Sequence, residues 1–339
     1  MKNFMKNAVV TGSSGFIGSF VSQRLLNEGW TVIGIDDLNN YYEPKLKIDR
    51  QNRLLEHNNF SVINDKIESI DLLNDLFSDK RPSLVIHLAA QAGVRFSLNN
   101  PESYLESNLK GSFAVLEAAR NYKPKHLMIA SSSSVYGANP TLPLKENDKT
   151  DNQISFYAAT KKAIENMAHS YSHIHDIPIT IMRLFSVYGP WNRPDMALFK
   201  FTESILKGKP IDVYNHGNMQ RDFIYIEDLI EAIYILTSCI PSIQRDGLVN
   251  SFDSISPVAP FRIVNIGNSK AIKICDYIKE IEKSLKMKAK KNFIPIQDGD
   301  VENTCADIKL LENLTGYRPS TPISVGISKF IRWYKNYYK

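Results

Sequence analysis

Along the first half of the chain, short runs of consecutive apolar residues alternate with stretches whose apolar residues recur every three or four positions. Ala8–Thr11, Thr31–Ile35, Leu84–Leu88, Leu127–Ala130 and Ile179–Arg183 are nearly continuous in apolar character. Runs of this kind predict strands buried on both faces. Between them, Phe16–Asn27, Leu72–Phe77, Leu109–Arg120 and Tyr157–His175 carry helical spacing. Strands separated by helices predict an α/β chain with right-handed crossovers, hence a doubly wound parallel sheet with helices on both sides.

After about residue 185 the rhythm changes. Pro190, Pro194, Pro210, Pro241, Pro257 and Pro260 punctuate shorter elements. The reading is a first domain over 1–185 and a smaller α/β C-terminal substrate domain over 186–339, with some segments returning to the first. Ser251–Pro260, rich in Ser and Pro, predicts a surface loop. Neither an internal repeat nor a low-complexity tail is apparent.

Composition narrows the function classes. The 339 residues are 43% apolar, enough for a substantial core. The formal net charge is +5, and Lys286–Lys291 is the one concentrated basic tract, so nucleic acid is not an expected partner. Cys239, Cys275 and Cys305 are scattered and odd in number. They suggest no disulfide framework, no zinc motif and a reducing compartment. Met1–Asn7 is polar and runs directly into the first strand, and no apolar run is long enough to span a bilayer. A cytoplasmic protein with no membrane partner is the expectation.

Candidate chemistry begins at Gly12-Ser13-Ser14-Gly15-Phe16-Ile17-Gly18, between the first strand and the first helix. Glycines at Gly12, Gly15 and Gly18 permit a tight turn and close approach of backbone to a pyrophosphate. The helix start, with Phe16 and Ile17, offers free N–H groups and a positive dipole end. Asp36 ends the second strand 18 residues after Gly18. A carboxylate there accepts from the adenosine ribose hydroxyls and repels a 2′-phosphate, which favours NAD over NADP.

Tyr157 and Lys161 stand four apart on a predicted helix and so share a face. A nearby ammonium and the cationic nicotinamide ring both favour phenolate, so the expectation is a Tyr157 pKa lowered towards the working range. Upstream, Ser131-Ser132-Ser133-Ser134 ends a buried strand, where doubly wound folds place ligands. His169 and His173, with His175 near, have metal-ligand spacing but lack an accompanying HExxH acid, so they read as an exposed helix face and no metal is expected.

These residues together resemble the extended short-chain dehydrogenase/reductase family, within its NAD-dependent epimerase/dehydratase members, over nearly the whole chain. The likeness is greatest to UDP-glucuronate 4-epimerases. It rests on Leu38-Asn39-Asn40-Tyr41-Tyr42 with Leu46-Lys47, on Leu88-Ala89-Ala90-Gln91-Ala92-Gly93-Val94-Arg95, on Val187 to Ala197 and on Arg221-Asp222-Phe223-Ile224-Tyr225. The resemblance implies a Rossmann sheet, bound NAD and a UDP-sugar substrate. It also implies a homodimer through the helices at Leu109–Arg120 and Tyr157–His175.

By that resemblance Ser132 is the catalytic hydroxyl, Tyr157 the base and Lys161 its partner. Asn40, Ile67, Ala89, Ala90, Asn108 and Phe185 join the glycine loop and Asp36 around the cofactor. Gly93, Arg95, Ser186, Tyr214, Arg221 and Asp300 line the sugar-nucleotide pocket, with Arg221 towards the diphosphate and Tyr214 against uracil. One departure stands out: Lys66-Ile67 occupies the place of an Asp-Ile or Asp-Leu pair near the adenine, and Asp65 is one position early unless a strand bulge restores it.

The implied reaction takes the proton from the sugar C4 hydroxyl at Tyr157 while hydride leaves C4 for NAD, then reverses both on the other face. A uronate makes the 4-keto sugar a β-keto acid that can lose CO₂. Ser133, Ser134 and Arg193 are the candidates for holding its carboxylate. Dehydratase relatives carry acids after the catalytic hydroxyl and decarboxylases a glutamate, whereas here both positions are serine. The expectation is therefore 4-epimerisation of UDP-glucuronate for a surface polysaccharide precursor. The rivals are UDP-glucose or UDP-N-acetylhexosamine 4-epimerases and a non-catalytic NAD-binding scaffold.

Overall fold

The computed structural model describes residues 6–243 and 253–339. Twelve strands are present among them: β1 (Asn7–Thr11), β2 (Thr31–Ile35), β3 (Phe60–Ile63), β4 (Leu84–His87), β5 (His126–Ser132), β6 (Ile179–Leu184), β7 (Ser186–Tyr188), β8 (Ile211–Val213), β9 (Gln220–Tyr225), β10 (Phe261–Ile266), β11 (Ala271–Lys273) and β12 (Lys291–Phe293). Seven form one sheet in the order β10-β6-β5-β4-β1-β2-β3, every pair parallel. This is the doubly wound α/β architecture expected of the apolar runs.

The sheet explains why those runs are continuous. Successive side chains point to opposite faces, and both faces are covered. Ala8, Val10, Ile86, Met128 and Met182 enter one apolar cluster. Their neighbours Val9, Val85, Leu127, Ile129 and Ile181 enter the other. The helices Phe16–Asn27 and Phe156–His175 lie close to where the sequence predicts them. The helix Gly111–Tyr122 is preceded by a turn of π-helix at Leu105–Lys110, which apolar periodicity does not reveal.

β10 enters the large sheet beside β6, and the helix Ile226–Leu236 packs on Phe16–Asn27. There Arg24 pairs with Glu231 at 3.1 Å. Two small sheets, β11-β9-β7 and β12-β8, complete the C-terminal half. No helix among the described residues is long and apolar enough to cross a membrane.

The predicted surface loop is exposed only in part, at Pro257 and Val258. Ser251 and Phe252 lie outside the described residues. In the remainder Ile255, Ser256 and Ala259 are buried. The reason is the supposedly free helix face. His169 Nε2 bonds Ser256 Oγ at 2.9 Å, and His173 Nδ1 bonds the Val258 carbonyl at 2.6 Å. Those histidines tether the segment, and among the described residues no group of three potential metal ligands occurs.

Candidate active site

The strand order reverses between β1 and β4, so their crossovers diverge and leave a crevice at the carboxyl ends. A cavity of about 390 Å³ occupies it. Gly12, Gly15–Gly18, Asp36, Leu88–Val94, Ser131–Ser134, Tyr157, Lys161 and Phe185 line one part, and Arg193, Arg221, Asp300 and Thr304 the other.

Gly12 has φ +70°, and a Cβ there would lie 2.8 Å from the Ala89 nitrogen. At Gly18 a Cβ would stand 2.0 Å from the Gly12 carbonyl, so the helix start can press against the turn only without a side chain. Gly15 caps the Phe16–Asn27 helix with no side-chain bond, leaving its first N–H groups to the cleft. This cradle fits the diphosphate of a dinucleotide. Asp36 accepts from Ser14 N at 2.9 Å and from Leu38 N at 3.0 Å. Burial lifts its carboxyl above the usual range, while those N–H bonds and Lys47 favour the carboxylate.

Other cofactor candidates separate into two groups. Ile67, Ala89 and Ala90 face the cleft. Asn40 is exposed and stands outside it, whereas Asn39 lies within, so the expected role of Asn40 is not supported by its place. Lys47 Nζ donates to both the carbonyl and the side-chain oxygen of Asn39, at 2.6 and 2.7 Å, which turns Asn39 inward. Asn108 is fully buried behind the wall. It accepts from Gln91 N at 2.8 Å and donates to Thr160 Oγ1 at 3.0 Å, fixing the loop after β4 to the catalytic helix. The register of β2 with β3 is unbroken, so the proposed bulge is absent. Asp65 nonetheless reaches the cleft beside Ile67.

Ser155 caps the Phe156–His175 helix by accepting from Ala158 N at 3.2 Å. That fixes the first turn and aims Tyr157 and Lys161 at the end of β5. Ser132 caps the short turn Ser133–Tyr136, accepting from Ser134 N at 3.1 Å, with its hydroxyl beside Tyr157. Burial raises the Tyr157 pKa, against a hydrogen bond with Ser132 and the charge of Arg193. Lys161 does not lower it in this arrangement, and the other expected cause, the cationic nicotinamide ring, comes only with bound NAD. Lys161 Nζ donates to the Ala130 carbonyl at 2.9 Å, and burial lowers its own pKa to about 8, with Glu165 opposing.

On the sugar side, Gly93, Ser133, Ser134, Ser186, Arg193, Arg221 and Asp300 face the cleft. Arg193 is held by Asp195 through paired bonds of 2.9 and 2.8 Å. Burial opposes its charge, yet Asp195 keeps it well above the usual guanidinium range. Arg221 donates to the Glu302 carbonyl at 2.8 Å. Arg95 and Tyr214 depart from expectation, because neither lines the cavity. Arg95 bonds Asp300 at 2.8 Å and lies 3.8 Å over the Tyr214 ring, so the ring face expected to meet uracil is already covered by a cation.

Residues that sequence reasoning did not single out also shape the site. Asp195 neutralises Arg193, and Tyr41 donates to Asp195 at 3.2 Å. The spacing Arg193-x-Asp195 was the available signal. Asn192 is 1% exposed and lines the cavity, and its Nδ2 finds no partner among the described residues, which leaves a donor for a ligand.

Comparison with known proteins gives this arrangement a context. Residues 8–245 match the model of the NAD dependent epimerase/dehydratase family. The chain is 45% identical to a probable UDP-glucuronate 4-epimerase of Rhizobium meliloti over 98% of its own length and 97% of the relative's. It is 44% identical to the Staphylococcus aureus protein CapI, covering 98% and 99%. A crystal structure of the Bacillus cereus UDP-glucuronic acid 4-epimerase in complex with UDP-glucuronic acid and NAD superposes with a TM-score of 0.87. It is 31% identical, over 98% of this chain and all of that one.

Proposed function

For a chain that belongs to the NAD dependent epimerase/dehydratase family, we propose the interconversion of UDP-glucuronate and UDP-galacturonate at C4. The protein is an NAD-dependent nucleotide-sugar 4-epimerase, an isomerase acting on a UDP-uronic acid. The observation that carries the substrate assignment is the serine pair Ser133 and Ser134 facing the cleft beside Ser132 and Tyr157. A hydroxyl cannot protonate a leaving group at neutral pH, which disfavours dehydration, but it can donate to a carboxylate.

NAD, when bound, accepts the C4 hydride and returns it, so no second substrate is consumed. The glycine cradle, Asp36, Ile67, Ala89, Ala90 and Phe185 hold it, and Asn108 keeps the wall behind it in place. Tyr157 takes the proton of the C4 hydroxyl and gives it back. Ser132 donates to the same oxygen as charge develops there. With NAD bound, its cationic nicotinamide ring would join Lys161 in favouring the phenolate against the burial of Tyr157.

The 4-keto uronate is a β-keto acid and loses CO₂ when the bond to its carboxylate aligns with the carbonyl. Ser133, Ser134 and Arg193 hold the carboxylate away from that alignment. Arg221 faces the diphosphate. For Arg95 and Tyr214 to meet uracil, the cation–π contact between them must open. In this reading 1–185 binds the dinucleotide, and 186–339 binds the sugar nucleotide and returns β10 to the sheet. The molecule works as a cytoplasmic homodimer and makes an activated sugar for surface polysaccharide.

Incubating purified protein with UDP-glucuronate, UDP-glucose and UDP-N-acetylglucosamine tests the substrate. Turnover of the uronate alone is expected. Preference for a neutral sugar would overturn the carboxylate assignment. In the Ser133→Ala variant, weaker uronate binding or a rise in decarboxylated product is expected, and the absence of both would sink the role given to that serine.

A further inference from the structure

The buried face of the helix Pro44–Leu55 holds three polar side chains, Lys47, Arg50 and Gln51, between Leu46 and Leu54. Arg50 is 1% exposed. Its Nη1 donates to the Ser14 carbonyl at 3.2 Å and to the Tyr42 hydroxyl at 2.7 Å. Its Nη2 donates to the Trp191 carbonyl at 2.6 Å. None of these partners is a carboxylate, and Nε has no partner among the described residues. A buried guanidinium so poorly compensated is unfavourable for folding alone.

Its partners show what it joins. Ser14 belongs to the glycine cradle, and Gln51 fixes the same residue by accepting from Ser14 Oγ at 2.8 Å. Trp191 sits at φ +63° in the segment that presents Asn192 and Arg193 to the cleft. The fork of one guanidinium thus spans the loop that receives the dinucleotide and the loop that receives the sugar nucleotide. Arg50 itself does not line the cavity. A positive charge held directly behind the cradle is also complemented by a diphosphate lying across the cradle's open side.

We propose that Arg50 is a positioning residue that couples the two ligand loops, so that occupancy of the sugar-nucleotide site tightens the grip on NAD. The inference rests on the epimerase reading above. An enzyme that returns its hydride within one turnover needs its dinucleotide to stay while sugar nucleotide is bound, and the Arg50 bridge links the loops that hold the two.

The test uses the protein with its carried NAD and UDP as the probe of the second site. Exchange of bound NAD for labelled NAD is timed with and without saturating UDP. In the parent protein UDP slows exchange within the range of common site couplings, about 5–150-fold. In Arg50→Met, and in Arg50→Lys, whose single ammonium cannot fork across both carbonyls, the slowing falls to less than about twofold. Unchanged slowing in either folded variant would overturn the proposal, as would no slowing in the parent. Hydrogen exchange needs no substitution: saturating UDP is expected to raise protection of the residue 12–18 amides, and unchanged protection also counts against it. Failure of the parent to bind NAD or UDP would instead strike the epimerase reading itself.

Discussion

Tyr157 sits between opposing influences, and its surroundings define what a substitution does. Burial raises the phenol while Ser132 and Arg193 oppose that rise. Tyr157→Phe removes the proton carrier and leaves the cavity shape, so kcat is expected to fall by about 10²–10⁴-fold with UDP binding retained. Steady-state kinetics with UDP titration checks both halves. Glu146 gives a stability prediction. Burial raises its carboxyl to about 7, against a hydrogen bond from Asn265 N at 2.9 Å. The folded protein therefore holds this proton more tightly than the unfolded chain does, and stability falls as pH rises from about 4.5 to about 7. Glu146→Gln should raise the melting temperature at pH 8 and change it little near pH 4.5. An equal gain at both pH values would contradict the assignment.

At the scale of elements, the glycine cradle and the Pro44–Leu55 helix carry the site's geometry. Gly18→Ala places a methyl 2.0 Å from the Gly12 carbonyl, so the turn must open. The purified variant is expected to carry little NAD, read from its absorbance ratio and by extraction. Much of this level was legible in the sequence. β2 and the helix Phe16–Asn27 match their predicted bounds, because one is a short continuous apolar run between Gly29 and Asp36 and the other carries its apolar residues at helical spacing directly after the Gly12–Gly15 turn. The Pro44–Leu55 helix was not read as an element, because its buried apolar residues, Leu46 and Leu54, stand eight positions apart with Lys47, Arg50 and Gln51 between them, too sparse a stripe for apolar periodicity to find. The Tyr157, Lys161 and Ser132 grouping was legible because strand ends and helix faces fix where such residues meet. The Arg95 contacts with Asp300 and Tyr214 were not, since they join residues more than a hundred positions apart.

Across the whole molecule, the proposed dimer uses the Gly111–Tyr122 and Phe156–His175 helices. Phe113 and Ile174 lie on them and are 41% and 64% exposed, apolar area that a second copy would cover. Phe113→Glu is expected to shift the protein from dimer to monomer in analytical ultracentrifugation. A parent protein that sediments as a monomer would reject the interface. The two halves of the chain meet at one cleft: the β1 and β4 ends bring the dinucleotide cradle, β5 and the Phe156–His175 helix bring Ser132 and Tyr157, and the Ser186–Tyr225 region brings the sugar-side cations.

The central claim is an internal hydride cycle at C4 of a uronate. Proton NMR of UDP-glucuronate in D₂O with the purified protein and no added NAD tests it most directly. The account predicts UDP-galacturonate that keeps protium at C4, with no release of CO₂. Deuterium at C4, a decarboxylated product or an unchanged substrate would contradict it.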